Sequence, residues 1–500
     1  MVGILVDWNE QGCTTEYWVG AVTPYMLDGK MTPAGILENM TQSCYAWLGE
    51  LDGSDSYSYE VIATDNIKID KLPAFGDELH TRLDVSSQGS HQWIAQVKCW
   101  VGKENIARGE VKIRKRYRYE GKRVTIVGGG FSGLLTAALL LQQGAAVTVL
   151  EQNHVVGGGL LNFYKDGCWW DTGMHCLCGL HEGSWCWGVL ESLGIDIPVE
   201  KNLPIIYHGG EQHSNRFREF LYPVLDNQRM QVYREYTFGY PDQMLIGGSR
   251  ILLNQLVDFI KSAGGEIITK ADVCTFDIDK TGNVCSVRTL DGKKYLGDVF
   301  VSTIHIKQLM RMCPSPLFKK STTQRILDTP ESSGGFEVYI KLKEGKIENK
   351  KEAHYILSDD IAVYFPIDDA DQQWCDKMVL FKWINFDELR RWKDKRDEKY
   401  YQWKDEKAKY LIDKVSEYIP KLKDAISSYF TSSSLTFRDE FHSPEGSLYG
   451  ILQEIQSVET KIPNLFLSGQ DCFPHGFGNM IAISIRTRDA VLEYLSTHRD

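Results

Sequence analysis

The chain has 500 residues, 43% hydrophobic and 25% charged, with a formal net charge of −11. This is the composition of ordinary globular protein with length for about three domains, which excludes fibrous and disordered classes. The acidic balance and a pI near 5.6 argue against a nucleic-acid binder. The opening stretch MVGILVDWNEQG has no basic segment ahead of a long apolar run, so no signal peptide is read. No window reaches the roughly 18 apolar residues of a spanning helix. Twelve cysteines in such a chain are expected as reduced thiols in the cytoplasm. Cys176 and Cys178, with Cys168 and Cys186 nearby, lack a partner pair at zinc spacing, so no metal site is read there.

Residues 1–117 read as an independent domain. A helix over 34–49 places Leu37, Met40, Cys44 and Trp47 or Leu48 on one face. Strand-like runs follow at 57–70, 78–87, 92–102 and 105–117, separated by turn residues such as Pro73–Gly76. One helix followed by a run of antiparallel strands predicts an α+β domain with the helix wrapped in a sheet. The basic run Lys112–Lys122 (KIRKRYRYEGK) is expected as an exposed edge strand and linker.

Within this segment Pro33-Ala-Gly-Ile-Leu-Glu38-Asn-Met-Thr-Gln42 resembles, with a one-residue shift, the central-helix pattern of acyl-carrier-protein dehydratases, which have the hotdog fold. The resemblance implies a glutamate at Glu38 and a partner histidine in the preceding loop. That position falls near Thr23 or Pro24, and no histidine occurs before His80. A general base for dehydration is therefore missing, and the expectation is a non-catalytic acyl-binding or dimerising module. The family's habit of pairing two folds implies a homodimer.

Residues 122–151 (KRVTIVGGGFSGLLTAALLLQQGAAVTVLE) combine strand, glycine turn, helix, strand and acid. Gly128, Gly130 and Gly133 have G-x-G-x-x-G spacing: a tight turn, a close approach for pyrophosphate, and close helix packing. The following helix, opening at Phe131 and Ser132, offers unpaired N–H groups and a positive dipole end to phosphate. Glu151, followed by Gln152, stands where an acid accepts hydrogen bonds from the adenosine ribose. Gly157 and Gly158 can then bring backbone N–H groups against a phosphate or the flavin ring. Gly247-Gly248 precedes a helix over 251–263, and GDVFVSTIH (297–305) returns to the sheet. Near the end, Gly469 and Asp471 close a strand, and Gly476 and Gly478 open the last helix, a second helix N-terminus for a long cofactor such as FAD.

Residues 122–500 resemble the flavoprotein superfamily of phytoene desaturases, carotenoid isomerases and retinol saturases. The matching blocks are the dinucleotide motif with Glu151, Gly157-Gly158, Asp171-Thr-Gly-Met-His175, Gly247-Gly248, Val273, Ser434–Gly450 and Leu465–Asn479. The resemblance implies FAD held by Gly128, Gly130, Phe131, Ser132, Gly133, Glu151, Gln152, Gly157, Gly158, Gly159, Val273, Gly469, Asp471, Gly478, Asn479 and Met480. Desaturases of the group carry arginine directly after the glycine pair, whereas Gly159 stands there in this chain. The saturases and isomerases also lack it, which favours reduction or isomerisation of a polyene over desaturation.

The fold class expected is an α+β hotdog domain followed by an α/β Rossmann-type FAD-binding domain with an inserted α+β substrate domain. The FAD-binding domain takes 118–200, 243–305 and 433–500, and the substrate domain takes 201–242 and 306–432. Residues 386–418 read as one or two amphipathic helices that cover the substrate domain or touch a membrane weakly. His175 and His475 are the candidate acids, since histidine titrates near neutrality, and Tyr240 and Tyr449 are candidate substrate contacts. A single complete dinucleotide motif leaves no dedicated nicotinamide domain. The partners expected are a hydrophobic polyene or unsaturated acyl chain and an acyl carrier protein that delivers it, with no nucleic acid. An acyl-binding protein with a structural FAD is the other reading.

Overall fold

In the computed structural model the chain folds as two compact units, residues 1–120 and 121–500. The described residues are 4–20, 25–51, 57–88, 92–117, 119–173, 177, 180–208, 211–214, 243–313, 318–452, 455, 457–472 and 476–498.

Alternating apolar residues build the first unit. Its six-stranded antiparallel sheet runs in the order Ile4–Asn9, Gly12–Trp18, Glu78–Ser87, Gln92–Val101, Glu104–Tyr117, Tyr57–Ile69. The first two strands had no counterpart among the predicted elements. The helix Pro33–Leu51 packs on this sheet through Ile36, Met40, Cys44, Trp47 and Leu48, against Leu79, Leu83, Val97, Cys99, Val111 and Ile113. The predicted face is buried at Met40, Cys44, Trp47 and Leu48; Leu37 is partly buried against the same core, and the buried stripe also takes in Ile36, Asn39 and Ser43. Both polar groups are satisfied: Thr81 donates to Asn39 Oδ1 at 2.6 Å, and Ser43 shares a 2.7 Å hydrogen bond with Thr15. Polarity at these positions imitates a solvent face, which is why periodicity alone left them out.

The basic run corrects a second expectation. Residues 112–114 lie in a strand flanked on both sides rather than at an exposed edge, and 115–117 continue it paired with Tyr57–Ile69. Alternation resolves the paradox, because Val111 and Ile113 point into the core while Lys112 pairs with Asp65 at 2.6 Å and Arg114 with Glu60 at 3.0 Å.

The second unit holds a parallel sheet in the order Glu266–Ile268, Ala146–Leu150, Arg123–Val127, Val299–Ser302, Leu465–Leu467. The helices Phe131–Gln142 and Phe477–Thr497 lie against each other, with Phe131 stacked on Phe477 at 4.8 Å. Beside it stands a seven-stranded mixed sheet ordered Glu211–Ser214, Leu203–His208, Glu352–Ile356, Ile361–Tyr364, Lys377–Ile384, Gly334–Leu342, Ile426–Ser433. One face of that sheet, with Phe336, Val338, Ile340, Val363, Met378 and Leu380, packs against Tyr400, Leu411, Ile412 and Val415 of the helix Glu398–Tyr418. The charged region 386–418 thus forms two short 3₁₀ turns and one long helix whose apolar face is buried in this unit, so that face is not available to a membrane. No helix among the described residues is long and apolar enough to cross one.

Trp47 is fully buried and its indole N–H donates to the Asn9 carbonyl at 3.0 Å. Trp47→Ala should cost about 3–5 kcal/mol in the first unit. Urea unfolding followed by circular dichroism measures this, and a loss below about 1 kcal/mol would contradict the packing described.

Candidate active site

The glycine motif folds as its spacing requires. Strand Arg123–Val127 ends at Gly128, whose φ of +109° is a conformation that suits glycine, and whose carbonyl accepts a 2.9 Å hydrogen bond from Thr303. A side chain at Gly133 would place its Cβ 2.1 Å from the Gly128 carbonyl oxygen, so the helix can approach the turn only with glycine there. Gly130 is different. Its backbone is extended, and a Cβ would find only Gly158 Cα, at 3.9 Å. The space in front of it is cavity, not protein.

That cavity, about 460 Å3, is lined at one end by Gly128, Gly130, Phe131, Ser132, Gly133, Glu151, Gln152 and Val273. Gly158, Gly159, Gly469, Asp471, Gly478, Asn479 and Met480 line it too. Two helices begin on it, and neither has a side-chain cap: Phe131–Gln142 after Gly130 and Phe477–Thr497 after Gly476. Orphan N–H groups and two positive dipole ends therefore share one space, an arrangement that suits the phosphates and ring oxygens of a dinucleotide. A Cβ at Gly159 would meet nothing within 4 Å, so this position also leaves room. The residues present fit FAD.

Several predicted contacts have defined roles in this frame. Glu151 accepts hydrogen bonds from Gly129 N at 2.7 Å and Asn153 N at 2.8 Å, which fixes its carboxylate beside the glycine turn. Gly157 is not a lining residue, and its N–H donates to the Gly129 carbonyl at 2.9 Å behind the cavity wall. Asp471 lines the cavity while its carboxylate accepts from Ile306 N at 2.6 Å and Ile451 N at 3.2 Å, bracing two loops. Tyr449 also lines the cavity, tilted against Trp383 at 5.7 Å. His175, His475 and Tyr240, with Cys176, Cys178, Thr23 and Pro24, lie outside the described residues.

The structure joins two blocks that the sequence kept apart. Asp171 Oδ1 accepts from the Ser249 N–H at 2.9 Å and from its hydroxyl at 2.5 Å. It caps the helix Ser249–Ser262, whose N-cap Gly248 supplies no side chain. A Cβ at Gly248 would sit 2.6 Å from Asp171 Oδ2, so glycine there is the mate of the aspartate.

Two further features were not singled out by motif. The other end of the cavity is the second face of the seven-stranded sheet, contributing Tyr355, Ala362, Tyr364, Phe381 and Trp383, an apolar and aromatic chamber. At its border lies a buried ion network. His305, a lining residue, contacts Glu331 at 3.0 Å, and Lys307 pairs with the same carboxylate at 2.8 Å. Burial opposes charge on His305, but the hydrogen bond to Glu331 and the Asp471 carboxylate outweigh it and raise its pKa above the ordinary value. Burial likewise opposes ionisation of Glu331, yet His305 and Lys307 hold its carboxyl below the usual range. In the first unit Glu16, Glu78 and His80 come within reach of one another, but His80 already contacts Glu16 at 3.2 Å and stacks on Trp100 at 5.3 Å. Glu38, the acid of the dehydratase pattern, accepts from Gln42 at 2.9 Å. Cys44, Cys99 and Cys186 are buried free thiols, and burial pushes Cys186 up to about 11.

Comparison with known proteins follows the same division. The family described as NAD(P)-binding Rossmann-like domain matches residues 126–193, and flavin containing amine oxidoreductase matches 225–486. All-trans-retinol 13,14-reductase of Homo sapiens is 44% identical over 61 residues, 12% of this chain and 10% of that protein. The chain thus spans about a tenth of that relative's length. The Danio rerio protein of the same name is 19% identical over 73% of this chain and 85% of its own length. Zeta-carotene desaturase of Capsicum annuum is 27% identical over 38% of this chain and 29% of its own. Among solved structures, an oxidoreductase from Methanosarcina mazei superposes with a TM-score of 0.53 at 14% identity, covering 74% of this chain and all of that one. Putrescine oxidase gives 0.55 at 12% identity, over 75% and 99% of the two chains. At these identities the structures speak for the fold alone.

Gly130→Val should leave the fold intact and abolish the visible flavin spectrum of the purified protein, because the new side chain fills only cavity. Gly133→Val should instead fail to give folded protein. Full flavin content in the first variant would refute the site. The pH dependence has a definite sign. The raised His305 pKa contributes stability fully below its unfolded value, roughly 6.5, and loses it as pH rises through the higher folded value. The lowered Glu331 pKa contributes above roughly 4.3 and is lost as pH falls through the lower folded value. The stability difference between the native chain and His305→Ala should therefore be largest between about pH 5 and 6 and shrink above neutrality. Thermal unfolding across pH measures it, and a flat difference would contradict the pairing.

Proposed function

Because the chain belongs to the flavin-containing amine oxidoreductases, we propose that it is an FAD-dependent oxidoreductase acting on carbon–carbon double bonds of a conjugated polyene or unsaturated acyl chain, with reduction as the physiological direction. The family supplies the cofactor, FAD, and with it hydride chemistry; the protein supplies binding, orientation and exclusion of water. The observation that carries the reading is a cavity whose one end is a glycine-lined dinucleotide cradle and whose other end is lined, among the described residues, mainly by aromatic and apolar side chains. Such a lining suits an elongated apolar chain. Likeness to retinol reductases and Gly159 in place of arginine support reduction. Likeness to a carotene desaturase supports the reverse direction as the second reading.

In this reading residues 118–200, 243–305 and 433–500 form the FAD-binding part, and 201–242 and 306–432 form the substrate part. Gly130, Gly158, Gly159 and the two helix N-termini hold the pyrophosphate and ring, Glu151 the ribose, and Val273 the adenine side. Tyr449, beside Trp383, meets the substrate, and His175 and His475 remain candidate acids. The first unit acts as a hotdog-type module that binds acyl chains or dimerises and presents a carrier-bound substrate. Its helix on a six-stranded sheet supports this, as does the edge strand Ile4–Asn9, which leaves Ile4, Val6 and Trp8 exposed. A homodimer in the cytoplasm is part of this proposal.

The test is anaerobic. Dithionite-reduced protein is mixed with all-trans-retinol or a polyenoyl pantetheine thioester while the flavin and polyene bands are followed. Oxidised flavin returning as polyene absorbance falls is the expected result. A polyene shift with the flavin still reduced would make the protein an isomerase, and no change with either probe would refute the reading. Light scattering at micromolar protein should give twice the chain mass.

A further inference from the structure

The long helix Glu398–Tyr418 lays one lysine against the edge of the seven-stranded sheet. Lysine ordinarily runs its stem along apolar surface and keeps its ammonium in water. Other lysines of this helix are paired with acids: Lys407 with Glu388 at 2.5 Å, Lys409 with Asp405 at 2.7 Å and Lys414 with Glu417 at 3.3 Å. Lys404 is half-buried, and its Nζ donates to the Thr431 carbonyl of the edge strand Ile426–Ser433 at 2.7 Å. Among the described residues no carboxylate pairs with it. The acids at hand are committed elsewhere, since Asp405 also accepts from Tyr429 at 2.8 Å and Asp439 is held by Arg396 and Arg438.

Cations gather around this amine instead. Lys404 Nζ and the Arg396 guanidinium lie over the same Tyr400 ring, at 5.5 Å and 5.7 Å from its centre. Lys165 Nζ lies 4.0 Å from the centre of the Phe430 ring, one residue before Thr431. Lys404 lines a recess of about 280 Å3 together with Tyr401, Asp405, Tyr429, Phe430 and Thr431, so a small molecule can reach it. Burial, then the Arg396 and Lys165 charges, lowers its pKa to about 8. At mildly alkaline pH much of this amine is therefore neutral and nucleophilic, where an ordinary lysine is almost wholly charged.

We propose that Lys404 is a carbamate-forming site, where the side-chain amine takes up carbon dioxide. The nitrogen lone pair forms an N–C bond to the carbon, one π pair moves onto oxygen, and an amine proton passes to water. Nothing is oxidised or reduced and no other group leaves. Two features of the site select this electrophile. The product is an anion, which Arg396 and Lys165 attract where they opposed the ammonium, whereas a neutral acyl adduct gains no such attraction. Carbon dioxide is also small enough for a half-buried amine at the wall of a recess. The adduct keeps an N–H for the Thr431 carbonyl, and Tyr401, exposed on the same recess, offers a hydroxyl to the new carboxylate. The site lies outside the cavity described above and does not depend on the substrate read for it.

The test uses the full purified chain, equilibrated with isotopically labelled bicarbonate at about pH 8. Carbamates are fixed with a trialkyloxonium salt and located by peptide mass spectrometry. Lys404 should carry the adduct at about tenfold or more the occupancy of Lys399 and Lys409, which are exposed on the same helix. At constant dissolved carbon dioxide its occupancy should rise between about pH 6.5 and 8, because only the neutral amine reacts. A labelled carbamate resonance in the native carbon spectrum should be missing from Lys404→Arg, which keeps the charge and a donor for Thr431 but has no amine to carbamylate. A resonance common to both proteins belongs to the N-terminal amine. No adduct at Lys404 in the native chain, or labelling no greater than at Lys399 and Lys409, overturns the proposal, and neither result requires the variant to fold.

Discussion

Two helices enter one cavity without side-chain caps, and most of the second unit exists to make that possible. A helix start left open to a buried space is unfavourable unless something negative or polar fills it. The helices Phe131–Gln142 and Phe477–Thr497 present such starts side by side, held by Phe131 on Phe477 and by Ser132 donating to Met480 Sδ at 3.6 Å. The parallel sheet brings the ends of its strands to the same edge, where the Gly128 turn, the Thr303 hydroxyl and the Asp471 carboxylate tie down the loops. Among the described residues, the Glu151 and Asp471 carboxylates near that edge accept from backbone donors, and Glu331 is held by His305 and Lys307.

How much of this was readable depends on the range of the interactions. The stretch 122–151 is local: strand, turn, helix, strand and acid fall within thirty residues, so each part can be recognised from its neighbours. The partnership of Asp171 with Ser249 spans 78 residues, and sequence showed only two separate glycine- or aspartate-bearing blocks. In the first unit the helix, most of its buried face and its later strands were legible from periodicity, but the buried Asn39 and Ser43 were not, because they are satisfied by hydrogen bonds to distant strands. The basic run looked like an edge for the same reason, since its acidic partners Asp65 and Glu60 lie across a strand pair.

Glu337 shows the limit most clearly. In GGFEVYIKL a lone glutamate reads as the solvent side of an alternating strand. The strand is buried on both faces, however: one against the helix Glu398–Tyr418, the other against cavity and aromatics. Alternation then sorts residues between core and chamber rather than between core and water. The same sheet thus does two unlike tasks, with aliphatic packing on one side and a lined recess on the other, and only the three-dimensional register says which residue does which.

The two helix starts that form the cradle come from opposite ends of the second unit: Ser132 and Met480 are 348 residues apart. A contact of that span forms late, after the intervening sheets have condensed. The flavin is therefore a ligand of the finished fold and not of an early intermediate, and by mass action it stabilises that fold in proportion to its concentration. Starved of flavin, cells would hold the less stable, unliganded chain, so the supply of vitamin would bear on abundance as well as activity.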